Sequence, residues 1–327
     1  MINKNHNGVA KGQFRKIKTR RRIFVRKKRI LSMALASAVI VLTFASQAMA
    51  STSIVEPDGS TGGVVVKTVD GKSIVDYPVS NEDKQLQQKK GSMADLHMQY
   101  KNGKISKETY VEKLKKLGAS EDIIIAVSNA KTFDTAISSN SIQPLSLSSS
   151  PQNVIIPFYQ MPQATTYYCG PATASEIING RTWSTISQYT LAGPLHCTTS
   201  GTPWYDGSYP MKDTLNSYMN TGFYIPYGTY VESSTFQSRV IYDIDANYGT
   251  AGDAWEVPGG PHLIGHPVGS TIYHWFAIYG YGDYGNSIYY KDSVAGSSVS
   301  WSGNVPASSA MDYVTLARIV NGRGIIW

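Results

Sequence analysis

The chain has 327 residues, with 30 Lys and Arg against 23 Asp and Glu, a formal charge of +7 and two cysteines. That charge does not argue for a nucleic-acid partner, because twelve of the basic residues, and no acidic one, fall within Met1–Arg29. Without that stretch, 18 basic residues face 23 acidic ones, a net charge near −5, and the region beyond residue 150 keeps only Arg181, Lys212, Arg239, Lys291, Arg318 and Arg323.

Taken in chain order, residues 1–50 read as a signal peptide. The basic stretch leads into an apolar run from Ile30 to about Phe44, and Ala48-Met49-Ala50 forms a small-residue cleavage site. The apolar run is too short for a comfortable membrane span. The expected location is therefore extracellular, and the long basic region is that of a bacterial, Gram-positive exporter. Arg21-Arg22-Ile23-Phe24-Val25 approaches a twin-arginine signal. The membrane enters only if this segment stays uncleaved.

Residues 51–145 read as a separate, partly helical region. Between Ser51 and Ser150 there are twelve basic and twelve acidic residues and three tyrosines, whereas the remainder holds nineteen tyrosines and all six tryptophans. Val64–Val69 and Ser73–Tyr77 flank Asp70-Gly71 and predict a small hairpin. Ser106 is placed to cap a helix with Tyr110, Leu114 and Leu117 on one face and Gly118 at its end, and Ser120 to cap another through Ile123, Ile124 and Val127. A serine-rich connection over 146–153 then separates this region from 154–327.

The third region holds the chemistry. Cys169 stands at a predicted helix start, six residues after Gln163 and just before Gly170-Pro171-Ala172, with a stop signal at Asn179-Gly180. A helix amino end favours a thiolate, and Gln163 is then placed to donate to an oxyanion; the plainer alternative is a structural thiol. Tyr273–Gly280 and Ser287–Asp292 flank a Gly/Asp/Asn turn and predict a β-hairpin. A turn centred on Asp283 sets His274 directly opposite Asp292, one centred on Tyr284 sets the two on a diagonal, and a half-integer centre puts them on opposite faces. A carboxylate beside an imidazole fixes its tautomer and favours its protonation, as a thiolate partner requires.

Gln163, Cys169-Gly170-Pro171-Ala172, His274, Gly280-Tyr281-Gly282 and Asp292 resemble the papain-like cysteine peptidases related to the double-glycine leader peptidases that process bacteriocins. The resemblance covers roughly Val154 to Ala295, and Asp292-Ser293 stands where family members often carry Asp-Pro. It implies Cys169 as nucleophile, His274 as general base and acid, Asp292 as the orienting carboxylate and Gln163 as oxyanion donor; Gln160, three residues before Gln163, is the competitor for the donor role. It implies an α+β fold in which a helical subdomain bearing Cys169 packs on an antiparallel β-sheet bearing His274, Asp292 and the terminal run Asp312–Ile319. Further helices are expected near Thr185–Leu191 and Pro210–Met219. By analogy with papain-like zymogens, 51–145 is a pro-region, with an accessory domain as the alternative.

The expected function is a secreted cysteine peptidase without cofactor or metal, acting on a peptide or protein. Cell-wall amide cleavage, transamidation and a catalytically silent binding protein are the alternatives. Three further patterns carry less weight. His262-x3-His266 has metal-like spacing, but Pro261, Gly265 and Pro267 argue for a loop. Asp243-Ile244-Asp245 lacks the turn glycine and terminal carboxylate of a calcium loop and reads as a helix end. Cys197 would occupy Cys169 if the two formed a disulfide. Tyr168, Tyr273 and Trp275 are read either as subsite walls or as core.

Overall fold

The computed structural model describes residues 54–133 and 153–327, apart from Thr229. The expected signal peptide and the serine-rich connection up to residue 152 lie outside the described residues. Among the described residues no helix is long and apolar enough to cross a membrane.

The first elements are short strands β1 (Ile54–Val55), β2 (Thr61–Val69) and β3 (Lys72–Asp76), which form a three-stranded antiparallel sheet. The β2–β3 turn is the expected one: Asp70 and Gly71 take φ of 50° and 78°, the left-handed pair that a two-residue hairpin demands. Helix α1 (Asn81–Lys101) starts at Ser80, whose side chain accepts from the Asp83 backbone N–H. Helices α2 (Lys107–Lys116) and α3 (Glu121–Ser128) follow, with Ser106 and Ser120 as N-caps and Tyr110, Leu114, Ile123, Ile124 and Val127 buried.

After the short strand β4 (Val154–Ile155) comes α4 (Cys169–Thr182), buried from Cys169 through Gly180. A helix covered on every side needs small residues where neighbours press in. A Cβ on Gly170 would meet Thr202 at 2.2 Å, and one on Gly180 would meet Phe158 at 2.4 Å. Gly180 is therefore a packing glycine inside the helix, which ends three residues later at left-handed Trp183, and not the stop expected from Asn179-Gly180. Helices α5 (Gln188–Ala192) and α6 (Pro210–Tyr218) lie where helices are expected.

The remaining elements are β5 (Pro226–Tyr227), α7 (Ser233–Asp245), β6 (Thr250–Glu256), β7 (Ile272–Gly282), β8 (Ser287–Lys291), β9 (Ser308–Asp312), α8 (Tyr313–Val320) and β10 (Gly324–Ile326). The sheet runs β5-β10-β6-β7-β8-β9 with β4 also on β7, all antiparallel. The run Asp312–Ile319 is a correction. Asp312 ends β9 and caps α8 through the Thr315 N–H, and Leu316, Ala317, Ile319 and Val320 form one buried helical face. The whole is the expected mixture of helices and antiparallel sheet.

One hydrophobic cluster joins residues from both sides of the 134–152 stretch, Tyr77, Tyr110 and Val127 among them with Ile241, Phe276 and Trp327. Buried charges tie the same two parts. Asp245, at the end of α7, takes His97 at 2.8 Å and Lys101 at 3.2 Å from α1, and Asp243 takes Lys90 at 3.0 Å. Arg323 is fully buried beside Asp58 at 3.1 Å, Glu56 at 3.6 Å and Asp253 at 3.9 Å. Lys72 donates to the carbonyls of Arg318, Ile319 and Asn321 at the carboxyl end of α8, which suits a cation.

Candidate active site

The four residues singled out in the sequence meet at one groove of about 450 Å³, lined by Gln163, Cys169 and His274 and backed by Asp292. Cys169 is the first residue of α4, with its sulfur in the first turn, where the helix leaves its own N–H groups without carbonyl partners. His274 sits on β7, and Asp292 immediately follows β8.

Their meeting depends on a bulge. Near the turn, Gly282 pairs with Ser287, Tyr281 with Ile288 and Gly280 with Tyr289, the half-integer register that would separate His274 from Asp292. The irregularity at Tyr279 absorbs one residue, so Ile278 pairs with Tyr290 and Ala277 with Lys291, as for a turn centred on Tyr284. Continuing that register places Asp292 opposite Phe276 and diagonal to His274 on the same face. His274 Nε2 lies 3.0 Å from Asp292 Oδ1, which also accepts from the Val294 N–H at 2.9 Å.

With Nε2 on the carboxylate, Nδ1 of His274 is the nitrogen left for the Cys169 sulfur, which lines the same groove and adds to the groups that favour a proton on the ring. Burial opposes a charge on this ring, but Asp292 and the sulfur outweigh it and hold the His274 pKa well above the usual value. Burial likewise pushes Asp292 up, and the two rings beside it, His274 and His266, more than reverse that and hold it well below the usual carboxylate range. The arrangement can thus keep a proton on the imidazole next to the sulfur, with the compensating charge fixed behind it.

Gln163 is buried at the groove, its Nε2 donating to Thr165 O at 2.8 Å and its Oε1 accepting from Ser293 Oγ at 3.3 Å. One amide hydrogen remains for a ligand. Gln160 spends its Nε2 on the carbonyls of Asp292 and Ala295, at 2.9 and 3.0 Å, so it braces the segment after Asp292. Removing one oxyanion donor costs about 10²–10³ in turnover. Gln163→Ala is expected to lower kcat by that factor with little change in KM. Steady-state kinetics in which Gln160→Ala takes the larger kcat loss would reverse the assignment.

Of the three aromatic candidates, Tyr273 lines the groove, Trp275 is core, stacked on Trp204 at 5.7 Å, and Tyr168 packs on Tyr167 and Tyr189. Both cysteines are free. Burial raises the Cys197 thiol to about 11, and its sulfur lies 3.4 Å from the Tyr167 carbonyl. A larger cavity of about 550 Å³ lies between α1, α3 and residues 219–225, but holds none of these groups.

Two buried groups make contacts that the sequence reading did not foresee. His266 lies in the expected loop and touches Asp292 Oδ2 at 3.0 Å and Glu256 Oε2 at 2.9 Å. His266, His274 and Asp292 bring three donor atoms within 4.8 Å of one another, but the two carboxylate oxygens are spent on the two rings, the pattern of a hydrogen-bonded relay. Glu176, seven residues after Cys169 on α4, accepts from the Met161 N–H at 2.7 Å and so anchors the segment between Gln160 and Gln163. Only a hydrogen bond to a third element reveals either role, and sequence spacing does not encode it.

Burial raises the Glu176 carboxyl to about 8, against the opposing pull of the Met161 N–H. A carboxyl whose folded pKa lies above its ordinary 4.5 favours folding while neutral, so this contribution is lost as pH rises from about 4.5 through 8. Glu176→Gln removes the titration. Measured from pH 5 to pH 9, the Tm of the wild type should fall relative to that of the variant; a constant gap would show that Glu176 titrates normally.

Residues 153–312 match the Peptidase_C39 like family. The similarity is to papain-like cysteine peptidases, covers Cys169, His274 and Asp292, and agrees with the mixed helical and antiparallel architecture. No curated protein matches the chain.

Proposed function

We propose that the protein is an exported bacterial cysteine peptidase working through Cys169, His274 and Asp292. The observation that carries the reading is the buried Asp292–His274 pair at 3.0 Å beside a groove that a thiol at the start of a helix also lines. The Cys169 thiolate attacks the scissile carbonyl while its former proton rests on His274. The Cys169 backbone N–H and Gln163 Nε2 receive the oxyanion. Collapse to the thioester breaks the C–N bond, and His274 passes its proton to the leaving amine. Water, deprotonated by His274, then releases the acid and restores the thiol.

Apart from His274, no charged side chain among the described residues lines the groove, which suits an uncharged stretch of peptide around the scissile bond. None of the residues 54–133 lines it either, which favours a permanent accessory part over a pro-region lying across the groove. Incubating the exported protein with a proteome-derived peptide library and sequencing the new termini tests the reading. Free new carboxylates at neutral sites are expected. Cleavage confined to cell-wall peptides would make it an amidase, products joined to added amines a transamidase, and no Cys169-dependent product a binding protein.

A further inference from the structure

Asp292 serves two histidines. His274 takes Oδ1, and Oδ2 faces Nε2 of His266 at 3.0 Å; the opposite nitrogen of that second ring faces Glu256 Oε2 at 2.9 Å. Glu256 ends β6, is fully buried, and is itself steadied by the Leu263 N–H at 2.8 Å. His266 stacks edgewise on Trp301 at 4.6 Å and on His274 at 5.2 Å. The ionisable groups facing it are Glu256 from β6, His274 from β7 and Asp292 after β8; Tyr290 on β8, raised to about 12 by burial, stays neutral.

A ring with a carboxylate at each nitrogen is best satisfied when both nitrogens carry hydrogen. Burial opposes that charge, but the bonds to Asp292 and Glu256 outweigh it and raise the His266 pKa. A purely structural imidazole needs no such pair, and a hydrogen bond from one neutral nitrogen would hold the loop equally well. Here the second cation draws on the same carboxylate that supports His274.

We infer that His266, held from behind by Glu256, is a positioning residue for Asp292, so that the proton relay behind Cys169 contains four groups and not two. The inference rests on the peptidase reading for its role in turnover, but not for the coupling between the rings. His266 fixes the second oxygen of Asp292 and thereby the direction in which the first faces His274. Its charge also shares the field of Asp292, which limits how tightly His274 holds its proton. Without that charge, His274 should stay protonated to higher pH.

The test uses the exported protein with His266→Gln, which keeps a neutral donor for Asp292, Glu256→Gln, which keeps the shape of the buried carboxyl, and His266→Phe, which keeps the ring against Trp301. Two readouts are taken against pH: the rate of Cys169 alkylation by iodoacetamide, counted apart from Cys197 by mass spectrometry, and the titration of the His274 ring by NMR. His266→Gln should move the upper inflection and the His274 midpoint upward by about half a unit or more, as loss of a nearby like charge does, and Glu256→Gln should move them upward by less, because the anion it removes offsets part of the effect of a deprotonated His266. His266→Phe should slow alkylation at least about tenfold, with His266→Gln restoring part of the rate. Folded Gln variants with unmoved midpoints overturn the inference, whatever happens to Tm or to His266→Phe. A shifted midpoint in a protein that cleaves no peptide overturns the peptidase reading and leaves the relay standing.

Discussion

Cys169→Ala and His274→Ala should each reduce turnover of any cleavable peptide by about 10⁴-fold or more, without unfolding the protein. The two groups act as one unit. Without the sulfur no thioester forms, and without the ring neither the thiol proton nor the proton for the leaving amine has a carrier. The double variant should therefore be little worse than either single one. Both side chains line the groove, and without His274 the Asp292 carboxylate keeps His266 and the Val294 N–H as partners, so the fold is expected to survive either change. Asp292→Asn should cost less in acceptor geometry but more in charge: the amide can still face Nε2, but it no longer holds the imidazolium. Its active pH range should shrink from the alkaline side, because the carboxylate is a principal group keeping the His274 pKa up. Single-turnover and steady-state rates on one peptide, with circular dichroism to monitor folding, decide the matter. A purified Cys169→Ala protein with wild-type turnover would end the mechanism.

Much of this site is visible in the sequence because its parts are local patterns. Cys169 with Gly170-Pro171 is a helix start by backbone chemistry alone, and the aromatic runs around Asp283 can hardly be anything but a hairpin. The register was open, and the answer turned on the bulge at Tyr279, which no composition rule announces. Helix α1 is the clearest element missed. Its buried stripe includes Lys90, His97 and Lys101, polar residues that periodicity reads as solvent-facing, and they are buried because Asp243 and Asp245 lie opposite. The same reason hid His266. A polar residue inside is legible only once its partner is placed, and the partners here are 10 to 153 residues away in sequence. Asp312–Ile319 failed differently: a run of β-branched and aliphatic residues fits strand and helix alike, and the cap at Asp312 decides for helix.

A chain beginning at residue 153 should fail to fold, and this is the other large effect expected. Residues 54–133 supply partners for charges that otherwise lie buried. Asp245 would lose both His97 and Lys101, Asp243 would lose Lys90, and Arg323 would lose Asp58 and Glu56 while keeping Asp253 at 3.9 Å and the Gly322 carbonyl at 3.2 Å. Leaving one member of a buried pair unpartnered costs about 3–5 kcal/mol where water cannot reach it. Water would reach some of these groups once α1 is gone, but the apolar face of α7 that packs on α1 and α3 would then be exposed as well. Set against a whole-domain stability of roughly 5–15 kcal/mol, two such losses suffice. The pro-region reading expects the reverse, a faster enzyme after removal of this part. A cut between residues 133 and 153 separates the two ideas without truncation. The halves should stay together on gel filtration with unchanged rates of Cys169 alkylation, because the ties are buried contacts and not the connecting stretch. If the 54–133 segment dissociates after cutting and leaves a soluble 153–327 protein with a higher alkylation rate, the segment is a removable inhibitor.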